Sequence, residues 1–166
     1  MAEQVYPLKQ VLEVKEKRVD DAEKVVKEKI QALEKEKQIL AQKEAERDKV
    51  KKHHDAKLKQ MREEMDKGTT SPKLQQMKAY LKVCKDRIVA EEKKVKDQKQ
   101  QVETAEKNLE AARNDLKLKR QEVDKLVTHR TDWNKEMRKE QEVIEGREQD
   151  EIGSIIFSTH HPRKGR

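Results

Sequence analysis

The sequence predicts an all-α protein, an antiparallel two-helix coiled-coil hairpin with a short turn and flexible termini. Three observations predict it. Apolar residues recur at every seventh position over long stretches, and between Leu8 and Glu145 Gly and Pro occur at one place only. That place, Gly68-Thr69-Thr70-Ser71-Pro72, carries the residue types that end one helix and begin the next.

Composition excludes a globular domain built around a thick core. Of 166 residues, 45% are Asp, Glu, Lys or Arg and only 2% are aromatic, too little apolar material for a broad interior. High charge with low hydrophobicity also describes disordered chains. A strict apolar period and long breaker-free stretches argue for helix instead. The formal net charge of +7 spreads thinly, with acids interleaved among the bases at nearly every turn. Such a surface favours ion pairs between neighbouring turns and argues against a nucleic-acid groove. A single cysteine, Cys84, rules out an internal disulfide and fits a reducing compartment. No apolar run approaches the roughly 18 residues that span a bilayer, and Met1-Ala2-Glu3-Gln4 does not read as a signal peptide, so no membrane insertion is expected and the chain is read as cytosolic.

Residues 1–153 form one hairpin in this reading. Helix 1 runs from about 8 to 67 and the turn covers 68–71. Helix 2 runs from about 72 to 150, and residues 154–166 make a flexible C-terminal tail. Gly68 closes helix 1 in the left-handed conformation; Ser71 caps helix 2, with Pro72 at its first position. So short a connection makes the helices antiparallel neighbours.

The seam is legible position by position. Helix 2 offers Leu74, Leu81, Ile88, Val95, Val102, Leu109, Leu116, Val123, Arg130, Met137 and Ile144 at sevens. Its companion series three residues on is mixed and includes Met77, Cys84, Glu91, Gln98, Ala105, Ala112, Lys119, Leu126 and Trp133. Helix 1 answers with Val5, Leu12, Val19, Val26, Leu33, Leu40, Arg47, His54 and Met61. Closing the turn at 68–71 requires facing residue numbers to sum to about 138. Leu33 then faces Ala105, Val26 faces Ala112 and Val5 faces Trp133, large against small along much of the seam. The same sum opposes Arg47 to Glu91, a polar layer expected to set the register. A weaker side stripe of Val11, Val25, Ala32 and Ile39 lies beside the helix 1 seam.

No catalytic, cofactor or metal site is readable, and the chain is not expected to be an enzyme. His53 and His54 adjoin on a helix, so their side chains diverge. His54 with Cys84 supplies two potential ligands where zinc needs three or four, and His160-His161 belong to the expected tail. There is no phosphate-cradling Gly loop, and a two-helix rod has no desolvated pocket to split carboxylate pKa values. What remains is apolar surface at the end where both termini lie. Trp133, Met137, Val143, Ile144, Ile155, Ile156 and Phe157 are the partner-binding candidates. Trp133 also reads as a clamp on that end, beside Tyr6 and Pro7.

Two stretches carry a family resemblance. Tyr6-Pro7-Leu8-Lys9-Gln10-Val11-Leu12 with Arg18-Val19-Asp20-Asp21-Ala22-Glu23-Lys24-Val25-Val26 resembles the start of the YscO/FliJ-like type III secretion proteins. Asp66-Lys67-Gly68-Thr69-Thr70-Ser71 followed by Leu74-Gln75-Gln76-Met77-Lys78-Ala79-Tyr80-Leu81 is similar to the chlamydial, CdsO-like branch. The resemblance implies a helical-hairpin stalk at the cytoplasmic face of the secretion apparatus, in the bacterial cytoplasm. Its implied partners are the type III secretion ATPase, the export gate protein and secretion chaperones, and it implies no cofactor. Read from the residues alone, the chain could also be a coiled-coil spacer, a holdase-like chaperone or a nucleic-acid-binding helical arm. Self-association could bury the same apolar surface. Steep salt-dependent RNA affinity would mark the nucleic-acid arm, which the even charge map disfavours.

Overall fold

The computed structural model describes residues 5–160. They form two helices, α1 over Lys9–Asp66 and α2 over Ser71–His160, with no strand among the described residues. At the end of α1, Gly68 takes a positive φ of 81° while its N–H donates to the Met65 carbonyl at 3.1 Å. That conformation is cheap for glycine alone and closes the orphan carbonyls of the last turn. At the start of α2, the Leu74 N–H donates to the Thr70 carbonyl at 3.1 Å. Thr70 is therefore the N-cap residue and Ser71 the first helical one, a position earlier than the residue types alone suggest. Pro72 becomes the second helical residue, where its missing N–H is still one of the four that lack a helical acceptor.

The larger departure is at the C-terminal side. α2 was expected to stop near residue 150, with a flexible tail from 154, yet it continues to His160. Gly146 and Gly153 do not stop it because neither takes a positive φ. A helical glycine costs about 1 kcal/mol relative to Ala, which weakens a helix without ending it. The rest of the expected tail, residues 161–166, and residues 1–4 of the N-terminus lie outside the described residues.

The chain forms two compact units, one of residues up to Asp21 with those from Leu116 on, the other Ala22–Asp115. Each contains a stretch of both helices. In the second unit Lys37 pairs with Glu106, Glu44 with Lys99, Lys51 with Glu92 and Glu64 with Lys73. Numbers rise on one helix as they fall on the other, so the helices are antiparallel. The same sense holds in the first unit, where Tyr6 meets Trp133 and Lys15 pairs with Glu122. Lys15–Glu122 and Glu64–Lys73 each sum to 137, one below the value that turn closure predicts. Other cross-helix pairs fall a few units either side because long side chains reach diagonal neighbours.

Burial follows the sevens. Cys84, Val95, Val102 and Leu109 are buried in the second unit, and Leu12 and Leu116 in the first. All but Leu12 belong to the two α2 series. On α1, Leu12 of the series is buried, Val19, Val26, Leu33 and Leu40 are half-buried, and Ala22, off the series, is buried too. Beside this seam the pairs Lys37–Glu106, Lys99–Glu44 and Lys51–Glu92 recur every seven residues on both helices, at 3.0, 3.4 and 2.7 Å. Each is exposed and screened by water, so individually they add little to stability.

Three of the cross-helix ion pairs have a consequence in acid. Glu64, Glu92 and Glu122 are each held below the ordinary carboxylate value of 4.5, first by a hydrogen bond from Lys73, Lys51 or Lys15 and then by the charge of that lysine. A carboxyl lowered on folding contributes stability above its unfolded pKa and loses it as pH falls through the folded one. The melting temperature, followed by circular dichroism, should stay level from pH 7 to about 5 and decline progressively below about 4.5. Lys15→Gln should flatten the part of that decline due to Glu122.

Candidate functional site

Tyr6 anchors the end of the first unit. It is buried, although it precedes α1, because the Lys9 N–H donates to its carbonyl at 3.1 Å and turns the chain inward. Its ring stands edge-on to Trp133 at 5.6 Å between centroids, an arrangement that aromatic quadrupoles favour. Its hydroxyl shares a 2.8 Å hydrogen bond with His129 Nδ1, the hydroxyl donating when that nitrogen carries no proton. Val5, expected opposite Trp133, is instead 69% exposed. The heptad count fails there because residues 5–8 are not yet helical. Tyr6→Ala should lower stability by about 2–3 kcal/mol, and Tyr6→Phe by about 1. Trp133 fluorescence, the chain's one indole signal, should shift to the red in the first variant and stay in place in the second.

Past Trp133, α2 has no α1 residue to face. Met137 is half-buried, while Val143, Ile144, Ile152, Ile155, Ile156 and Phe157 are all more than half exposed. At about 100° per residue, Met137, Ile144, Ile152, Ile155 and Ile156 share an arc of about 120°. Val143 and Phe157 fall on the far side of the helix. Ile152 is not among the residues that sequence reasoning singles out. Its signal is the i, i+3, i+4 set Ile152, Ile155 and Ile156, which Gly153 disguises as a broken tail.

Beyond Lys135, Arg138 and Lys139 the same stretch turns acidic. Glu140, Glu142, Glu145, Glu148, Asp150 and Glu151 stand against Arg147 alone between Glu140 and Thr159. Glu140 and Glu151 border the apolar arc on one side, and Glu145 and Glu148 sit within it. Gln141 donates to Glu145 at 3.1 Å along the helix.

In the second unit, Arg47 and Glu91 are both half-buried but do not pair. Arg47 Nε and one terminal nitrogen donate to Asp48 at 3.0 and 2.8 Å, and Lys94 donates to Glu91 at 2.7 Å. Each finds a partner on its own helix, one or three residues away, which needs less reach than the opposite helix. The buried polar layer is Gln98 instead, 5% exposed between Val95 and Val102. Lys43 Nζ donates to its Oε1 at 2.8 Å, and its Nε2 donates to the Glu36 carbonyl at 3.2 Å and to the Glu36 carboxylate. Gln98 thus brackets Leu40, reaching one turn to either side.

Towards the turn, His53 Nε2 and the Tyr80 hydroxyl share a 2.9 Å hydrogen bond, with the rings edge to face at 6.0 Å. His54 Nδ1 meets Asp55 at 3.2 Å, and Cys84 is a buried free thiol. Among the described residues no group of three or more His, Cys, Asp or Glu side chains could hold a metal. His161 and the side chain of His160 lie outside what the structure describes. Val11, Val25 and Ile39 of the side stripe remain about 40% exposed. No helix among the described residues is long and apolar enough to cross a membrane.

Comparison with known proteins adds the family. Residues 3–164 match the model of the YscO-like protein family. Among solved structures the chain is similar to CT670 of Chlamydia trachomatis, described as a YscO homolog, with 45% sequence identity and a TM-score of 0.91. That match covers 98% of this chain and 100% of the other. The comparison with curated proteins finds no match. A two-helix antiparallel hairpin with a heptad seam, matched in sequence and fold over almost its whole length, belongs to the YscO-like family and is a type III secretion-related coiled-coil protein.

Proposed function

We propose that this chain is a non-enzymatic component of the type III secretion export apparatus, acting at its cytoplasmic face as a stalk or adaptor. In this reading it contacts the export ATPase, the export gate and secretion chaperones, and the end built by Tyr6, Trp133 and the overhang of α2 carries the main contact. The observation that supports it is the continuation of α2 to His160, with exposed Ile144, Ile152, Ile155 and Ile156 and no facing helix among the described residues. Exposed isoleucines at such density mark an interaction surface. The turn, by contrast, is Gly-Thr-Thr-Ser and offers no large anchor.

The test is a pull-down with the purified export ATPase of the same secretion system, read by complex formation and by ATP turnover. Binding with changed turnover supports the adaptor reading. A chain that neither binds nor alters the ATPase, yet suppresses aggregation of unrelated clients, would make it a holdase.

A further inference from the structure

We infer that the stretch of α2 past Trp133 takes a basic amphipathic helix of another protein as the missing strand of a coiled coil. The inference rests on the reading of this end as the interaction surface and names the chemistry of what it binds.

The paired part of the molecule supplies the rule. There, carboxylates beside the seam meet lysines across it: Glu122 meets Lys15, Glu106 meets Lys37 and Glu92 meets Lys51. The overhang repeats one half of that pattern. Ile144, Ile152 and Ile155 continue an apolar face, and Glu140, Glu145, Glu148 and Glu151 stand beside or within it. No lysine or arginine follows Arg147 in α2, and among the described residues no helix lies opposite. A strand that completes the pattern needs an apolar seam flanked by Lys or Arg.

Charge decides between occupants. A second copy of the same segment, paired antiparallel, would bring Glu145, Glu148 and Glu151 against their own counterparts through the middle of the contact. Parallel pairing would align all six carboxylates with themselves. Anionic surfaces, whether lipid headgroups or nucleic acid, are repelled by the same residues. Length also fits, because the described helix past Trp133 runs about 40 Å, enough for some seven turns of a partner. Gly146 and Gly153 lie away from the apolar arc and have nothing within 4 Å of an added Cβ. They lower helix propensity, so a partner on the opposite face would also steady the helix itself.

The test uses the full chain and two labelled synthetic peptides of about 25 residues, the length of seven turns. Both carry the same Leu/Ile heptad seam; one is flanked by Lys and the other by Glu. Affinity is read by fluorescence anisotropy at about 0.15 M salt, and the site by amide hydrogen exchange. The Lys peptide should bind at least about tenfold more tightly than the Glu peptide and protect residues 140–159. Ile144→Asn with Ile155→Asn should remove that binding. Replacing Glu140, Glu145, Glu148 and Glu151 together with Lys should reverse the preference towards the Glu peptide.

Equal affinity for the two peptides, or protection confined to the paired stretches, would overturn the inference. So would sedimentation showing a dimer that Ile144→Asn dissociates, since a second copy would then be the occupant. Failure here is separable from failure of the wider reading. If the overhang prefers the Lys peptide while a chain lacking it still activates the ATPase, the ATPase assignment falls and this inference stands. If the truncated chain loses the ATPase but the full chain shows no Lys preference, this inference alone falls.

Discussion

Truncation after Arg138 is expected to leave the paired stretches folded while reducing binding to the export ATPase by at least about a hundredfold. The removed stretch makes no cross-helix contact among the described pairs, whose last members on α2 are His129 and Trp133. Melting of the truncated chain should therefore stay within a few degrees of the intact one. Helical signal per molecule should fall in proportion to the lost residues of α2. The binding loss is expected to be large because the isoleucines that leave, Ile144, Ile152, Ile155 and Ile156, are exposed apolar residues sharing one face of α2. Replacing Thr69 and Thr70 with Ala should leave ATPase binding unchanged and cost only about 1 kcal/mol of stability, since Thr70 is the N-cap residue of α2. A truncated chain that binds and stimulates the ATPase at full strength would move the contact elsewhere, first to the side stripe of Val11, Val25 and Ile39.

The second large effect is expected at Gln98. Its site is nearly closed to water, and Lys43 already donates into it. Gln98→Lys would place one ammonium against another in a buried layer, with the Glu36 carboxylate left to serve both. Stability should drop by about 3 kcal/mol or more, read as the midpoint of urea unfolding. Gln98→Leu should act in the opposite direction. Both charged neighbours are only half-buried and can return to water, while leucine extends the apolar run of Val95 and Val102. A gain of about 1 kcal/mol is expected. The cost should appear as lost pairing specificity, because a buried amide that can be satisfied in only one alignment penalises the others. Sedimentation should then show higher oligomers for Gln98→Leu under conditions where the parent chain gives one species. A single species for both would mean that the turn alone sets the alignment.

Much of this molecule is determined by its sequence alone. Sevens over Leu74–Leu116 and their companion at Cys84 mark the buried face of α2, and burial at Cys84, Val95, Val102, Leu109 and Leu116 follows them. Gly68 and the residues after it locate the turn, since only a positive φ at a glycine reverses a helix so briefly. The turn length then sets which numbers face each other. These features are local or periodic, and local chemistry decides them.

Other features depended on the opposite helix. Periodicity could identify the faces holding Arg47, Glu91 and Gln98, but not which of them would be buried and satisfied. That was decided by reach: Lys43 and Glu36 lie one turn either side of Leu40, within range of Gln98, while Asp48 and Lys94 offered Arg47 and Glu91 nearer partners. Tyr6 displaced Val5 at the aromatic contact because the chain enters α1 through a turn, where the helical period does not apply. Gly146 and Gly153 read as breakers, yet α2 passes through both with helical backbone. A glycine stops a helix by adopting the left-handed conformation, and composition alone does not specify whether it will.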